Sequence, residues 1–205
     1  MPRVSDEHLA ARREQILQAA WTRFSRNGFH ATTMADVIAA SGLSAGAVYR
    51  YFRSKEDLVR AIALRALEPA SEALRDLLRG DVPPHPADVV RLLIGSVEQL
   101  AVSTGDDVPR VALQAWAEAL RSPTIMDVAS EMQVRLRDQL AEAAARAQQE
   151  GYLSPDADPK AVGQVMLSVI IGYIVQRLIT RDIDSAAYAD AVGAVFGART
   201  LPVDS

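Results

Sequence analysis

Apolar side chains recur at spacings of three and four along almost the whole chain, and strand-length runs that alternate apolar with polar residues are missing. That periodicity is the mark of amphipathic helices packed on one another, so the pattern predicts an all-α fold. The first helix opens after Ser5, with Asp6 and Glu7 suited to its dipole. It repeats Leu9, Ile16, Leu17, Ala20, Trp21 and Phe24, and stops at Gly28. A second begins at Thr33, where Thr33 and Asp36 have capping-box spacing, and ends at Gly42 after about two turns. Ser44 caps a third, equally short one over residues 45–53. Ser54 with Asp57 repeats the capping pattern and opens a fourth through Leu58, Ile62 and Leu67, which Pro69 is expected to kink or end.

Prolines at 86, 109, 123 and 159 each suit the first turn of a further helix, where a missing backbone donor is harmless. They predict helices over residues 86–103, 109–121, 123–150 (closed by Gly151) and 159–181, with a last one over 185–197. The PxxP spacing of VPPHP, residues 82–86, reads as a linker into a helix start rather than as a ligand motif. No internal repeat or low-complexity tail interrupts the pattern.

The two short helices, residues 34–41 and 45–53, joined by a glycine-containing turn, form a helix-turn-helix candidate. At about 100° per residue, Val48 and Phe52 define the buried face of the second, and Arg50 points away from the core. Ala45, Gly46 and Ala47 open this helix with very small side chains; Gly46 and Ala47 fall on the outward half, and Tyr49 and Tyr51 flank the arginine about 80° to either side of the core direction. Small residues at a helix start allow close backbone approach to another molecule, and a helix N-terminus suits phosphate. A guanidinium can donate two hydrogen bonds to a guanine edge, while hydroxyls and ammonium groups fix register on the backbone. On this reading Arg50 reads bases. Ser44, Tyr49, Tyr51, Thr33 at the start of the second helix and Lys55 at the start of the fourth are placed toward phosphates. The residue types equally allow packed tyrosines and solvated arginines.

Charge sharpens the picture. The 205 residues carry 22 Lys and Arg against 26 Asp and Glu, yet residues 1–60 hold nine basic and six acidic side chains, a net +3, while the remainder is net −7. A basic head on an acidic body points to a local anionic partner. Cysteine is absent, so disulfides and thiolate metal sites are excluded. The charged start MPRVSDEHLAARREQ does not read as an export signal, and a cytoplasmic location is expected. The longest uncharged stretch, residues 161–176, falls short of the roughly 20 apolar residues that span a bilayer and reads as a buried helix, so no membrane partner is expected.

The stretch FHATTMADVIAASGLSAGAVYRYFRSKEDLV, residues 29–59, resembles the signature of the TetR family of transcriptional regulators. It holds an aromatic, paired threonines, an Ile-Ala pair, Gly-x-Ser-x-Gly, Tyr-x-x-Phe and Lys-Glu-x-Leu. The resemblance covers the first 60 residues closely; beyond them it extends to length, helical pattern and a late pair of helices. It implies a three-helix, helix-turn-helix DNA-binding domain over residues 1–60 and a larger helical ligand-binding and dimerisation domain over 61–205. It also implies a homodimer on double-stranded operator DNA and a small-molecule effector. Where many members carry histidine before the phenylalanine, this chain has Tyr51.

Residues 42–46 also satisfy G-x-S-x-G, the nucleophile elbow of serine hydrolases, which would make Ser44 catalytic. An elbow needs a strand before the serine, and here a helical pattern precedes it; the only later histidine, His85, sits in the proline-rich linker. His8, His30 and His85 share no metal-ligand spacing, and phosphate-binding glycine loops are absent, so neither metal nor cofactor is expected. A helical interaction module with a basic head is the remaining alternative.

In the body, Val162, Val165, Met166, Val169, Ile170, Tyr173, Ile174 and Leu178 are apolar over more than one stripe. With Gly172 permitting close approach, burial against a second copy is expected, joined by Tyr188, Val192, Val195 and Phe196. Leu93, Val97, Leu113, Trp116, Met126 and Met132, with Gln99, Gln114 and Glu118 as polar contacts, are candidates for an effector cavity, although such side chains also fill ordinary cores.

Overall fold

The computed structural model describes residues 6–104 and 108–196, and within them every regular element is a helix. The order is α1 (Asp6–Ala31), α2 (Met34–Ser41), α3 (Ala45–Tyr51), α4 (Lys55–Arg79), α5 (Pro86–Thr104), α6 (Val108–Ala119), α7 (Pro123–Gln149), α8 (Pro159–Thr180) and α9 (Ser185–Phe196). The expected cap Ser5, residue 197, and the side chains of Asp6 and Leu67 lie outside the described residues.

The chain forms two compact units, residues 1–66 with 105–130, and residues 67–104 with 131–205. In the first, the α1 stripe Ile16, Leu17, Ala20, Trp21 and Phe24 is buried, as are Val37 of α2, Val48 of α3 and Leu58 and Ile62 of α4. Helix α6 packs on α1 within this unit. Helix α1 breaks where the sequence predicts: Gly28 has φ 78°, ψ 166°, a region open essentially to glycine alone. The break is fastened by the buried Thr32 hydroxyl, which donates to the Gly28 carbonyl at 2.8 Å, and by stacking of Phe24 on Phe29 at 4.5 Å.

The second unit is built around Leu74, Val89, Val90, Leu93, Leu140, Met166, Ile170 and Tyr173. Gly163 of α8 lies directly on α7. A Cβ there would stand 2.7 Å from the Ala141 nitrogen, whereas a Cβ at Gly172 would meet only side-chain atoms of this chain, at 3.8 Å or more. Helix α7 closes at Gly151, φ 77°, with the Tyr152 N–H reaching the Ala147 carbonyl at 2.9 Å.

Two expectations change. Pro69 does not end α4, which runs on to Arg79 with Leu58 and Ile62 buried before the proline and Leu74 and Leu78 after it. Helix α3 ends at Tyr51 rather than 53: Phe52 turns extended, with φ −136°, ψ 114°, so that its ring stays buried.

Candidate nucleic-acid interface

Thr33 caps α2 with a complete capping box. Its Oγ1 accepts from the Asp36 N–H at 3.2 Å, and its own N–H and hydroxyl donate to Asp36 Oδ2 at 2.8 and 2.7 Å. Those bonds hold the Asp36 carboxyl below its ordinary range. Gly42, at φ 68°, then turns the chain, and Gln15 of α1 clamps the turn by donating to the Ser41 carbonyl at 2.7 Å. Ser44 caps α3, its Oγ accepting from the Ala47 N–H at 3.3 Å. The serine of the G-x-S-x-G pattern therefore stands at a helix-to-helix turn, where the elbow geometry of a hydrolase is not formed.

Helix α3 is oriented as its periodicity predicts. Val48 and Phe52 are 0% and 2% exposed, whereas Ser44, Ala45, Gly46, Tyr49 and Arg50 are exposed, and Ala47 and Tyr51 are half-buried. Tyr49, at 47% exposure, is more open than Tyr51, so the two tyrosines flank Arg50 unequally. At the start of α4 the Ser54 hydroxyl accepts from the Asp57 N–H at 3.1 Å. The Asp57 carboxylate accepts from the Arg53 N–H at 3.0 Å, one residue earlier than a standard box would place the return bond. Lys55 donates to the Phe29 carbonyl at 2.8 Å, tying the end of α1 to α4.

Comparison with known proteins settles the family. Residues 16–62 match bacterial regulatory proteins of the tetR family, and residues 95–199, half of the chain, match the C-terminal domain of BetI-type transcriptional repressors. The chain belongs to the TetR family of transcriptional regulators. The HTH-type transcriptional regulator UidR of Escherichia coli is 27% identical over 187 residues, 90% of this chain and 91% of UidR. Among solved structures, Salmonella enterica GusR superposes with a TM-score of 0.69 at 26% identity, covering 96% of this chain and 93% of its own. SmeT in complex with triclosan superposes with a TM-score of 0.73 at 22% identity, covering 95% and 98%. SmeT is the repressor of a Stenotrophomonas maltophilia multidrug efflux pump.

The remaining candidate residues of this TetR-family chain lie as follows. The nine expected to line a cavity divide between the units. Leu93 and Met132 are buried, Val97 is half-buried and Gln99 exposed in the second unit. In the first, Leu113, Gln114, Trp116 and Glu118 are half-buried and Met126 is exposed. Neither unit gathers the set. The Gln114 Oε1, like the Trp21 indole nitrogen, is buried without a partner.

Of the expected dimer residues, Met166, Ile170, Tyr173 and Val192 are buried in the second unit's own core. They form the inner stripe of α8 and α9. Val162, Val169, Tyr188 and Phe196 pack against that core and are only partly buried, and Val165 and Val195 are exposed at 53% and 75%. The exposed residues include Ala161, Val165, Ser168 and Ile179 with Lys160, Gln164, Gln176 and Thr180 on α8, and Ala187, Ala191, Ala194 and Val195 with Asp190 on α9. Helix α8 is long and apolar enough to cross a membrane by composition, yet it is only partly buried, its inner stripe packing in the second unit's core.

One cluster escaped the sequence reading altogether. Glu98 of α5 accepts from the Tyr173 hydroxyl and from Arg177, both on α8. Burial, then the Glu98 carboxylate, pushes the Tyr173 phenol up to about 12. Glu98 stands 75 positions from Tyr173 and 79 from Arg177, so only tertiary packing brings it to them.

Proposed function

We propose that the chain is a cytoplasmic, dimeric repressor without enzymatic activity, which binds palindromic operator DNA through α3 and releases it when a small molecule binds. The observation that carries this reading is the disposition of α3. Val48 and Phe52 anchor it from beneath, while Arg50, Tyr49 and the small residues Ala45 and Gly46 stand exposed at a capped helix start. In this arrangement Arg50 reads a base edge, bidentate to a guanine, and Tyr49 with the Ser44 hydroxyl fixes register on phosphates. Tyr51 and Ala47 contribute the shoulder of the same surface. Thr33 and Lys55 reach phosphate only in competition with Asp36 and the Phe29 carbonyl, their present partners.

Small and apolar side chains such as Val165, Ala191 and Val195, exposed on α8 and α9, support dimerisation through these helices. Two α3 helices about 34 to 36 Å apart then meet successive turns of an inverted repeat. SmeT in complex with triclosan supports a small-molecule effector for this chain too, and repressor names among its relatives support repression. An effector releases DNA only if it favours a protein geometry whose α3 spacing no longer fits that repeat.

Selection of duplexes from a random pool by the purified protein, with and without metabolite extract, tests the reading. The expected result is an enriched inverted repeat whose recovery falls with extract. Enrichment of no sequence would favour an interaction module with a basic head instead.

A further inference from the structure

Arginine 13 interrupts the apolar stripe of α1 that runs Leu9, Leu17, Ala20 and Phe24, standing four residues from each neighbour in that row. The interruption has a partner. The Arg13 guanidinium lies over the Phe52 ring, 5.4 Å from its centroid, while the residue as a whole is exposed. Phe52 is the C-cap of α3, so the stack fixes a charged planar fork beside the end of the recognition helix, on a different element.

The nearby charges are otherwise engaged. Glu14 pairs with Arg65 at 2.6 Å, Arg12 donates to Gln15 at 2.8 Å, and the Asp57 carboxylate takes the Arg53 N–H. Among the described residues no carboxylate pairs with the guanidinium of Arg13, Arg50 or Arg53. Thr33 and Lys55, by contrast, have donors already committed within the protein.

We propose that Arg13 is a phosphate-binding residue of the DNA interface, held by Phe52 so that it grips the backbone flanking the groove that α3 enters. The proposal rests on α3 being the recognition helix. A stacked guanidinium keeps its in-plane N–H donors free at the edge, which is the geometry a phosphate accepts. As a backbone contact it adds affinity without sequence preference.

The test titrates wild type, R13Q and R13M against a duplex that the wild type selects from a random pool and against a scrambled duplex, between about 50 and 200 mM salt. R13M keeps an apolar chain over the Phe52 ring, so it carries the test if R13Q melts early. Expected is a loss of affinity equal on both duplexes, with the salt slope shallower by about one for each bound protomer. A folded variant with wild-type affinity and slope overturns the inference and leaves the reading of α3 standing; selection of no sequence by the wild type overturns both.

Discussion

At the residue scale, several groups at the head serve the fold and the surface at once. Ser44 caps α3, so Ser44→Ala should cost about 1 kcal/mol in a urea unfolding curve. A hydrolase nucleophile would instead show its loss in an esterase assay. Asp36, whose carboxyl is lowered by Thr33's hydroxyl and N–H, stabilises the fold when ionised. The unfolded chain takes up its proton first, near the ordinary value of 3.8, so this stabilisation is present above that pH and is lost as pH falls through the lower folded value. Melting temperatures of Asp36→Asn should therefore converge on those of wild type in acid; a constant gap down to the lowest pH would contradict that. The outward position of Arg50 was legible from the spacing of Val48 and Phe52, because Val48 is the buried residue of α3 and Phe52, although it leaves the helix as an extended cap, is buried too. Arg13 was not legible as a site. Its meaning depends on Phe52, 39 positions away, and on the turn by which Phe52 leaves the helix.

At the element scale, capping and proline signals placed helix starts to within about a residue. Local chemistry sets those boundaries, so they can be read without the fold. Which stripe of a helix faces inward cannot, when both faces are apolar. Helix α8 shows it: Met166, Ile170 and Tyr173 looked as suited to a partner copy as Val165, and only the packing of α5, α7 and α9 sorts them. The two glycines of α8 separate the same way. Gly163→Ala should destabilise by about 1–3 kcal/mol, since its methyl meets the α7 backbone. Gly172→Ala, in ordinary contact, should be neutral or slightly stabilising, and equal effects in denaturant titration would contradict the close α7–α8 approach. Tyr173, with its phenol raised to about 12 by burial and by Glu98, makes the fold sensitive to alkali. Between pH 10 and 12 the unfolded chain loses this proton and the folded one keeps it, so stability should fall as pH rises through that window. Tyr173→Phe should flatten that fall, as read from the ultraviolet absorbance of tyrosinate against unfolding.

At the scale of the whole molecule, the outward faces of α8 and α9 are expected to join two copies, and the dimer sets the distance between the two α3 helices. Val165→Asp should shift sedimentation from dimer to monomer and weaken binding to an inverted repeat far more than to a single half-site. The measurement closest to the central claim compares wild type with Arg50→Ala on the duplex the wild type selects and on a scrambled one. If α3 reads the groove through Arg50, the variant's preference for the selected duplex drops by the equivalent of about 1 to 3 kcal/mol per half-site while its binding to scrambled DNA changes little. An undiminished preference, or an equal loss on both duplexes, would contradict it.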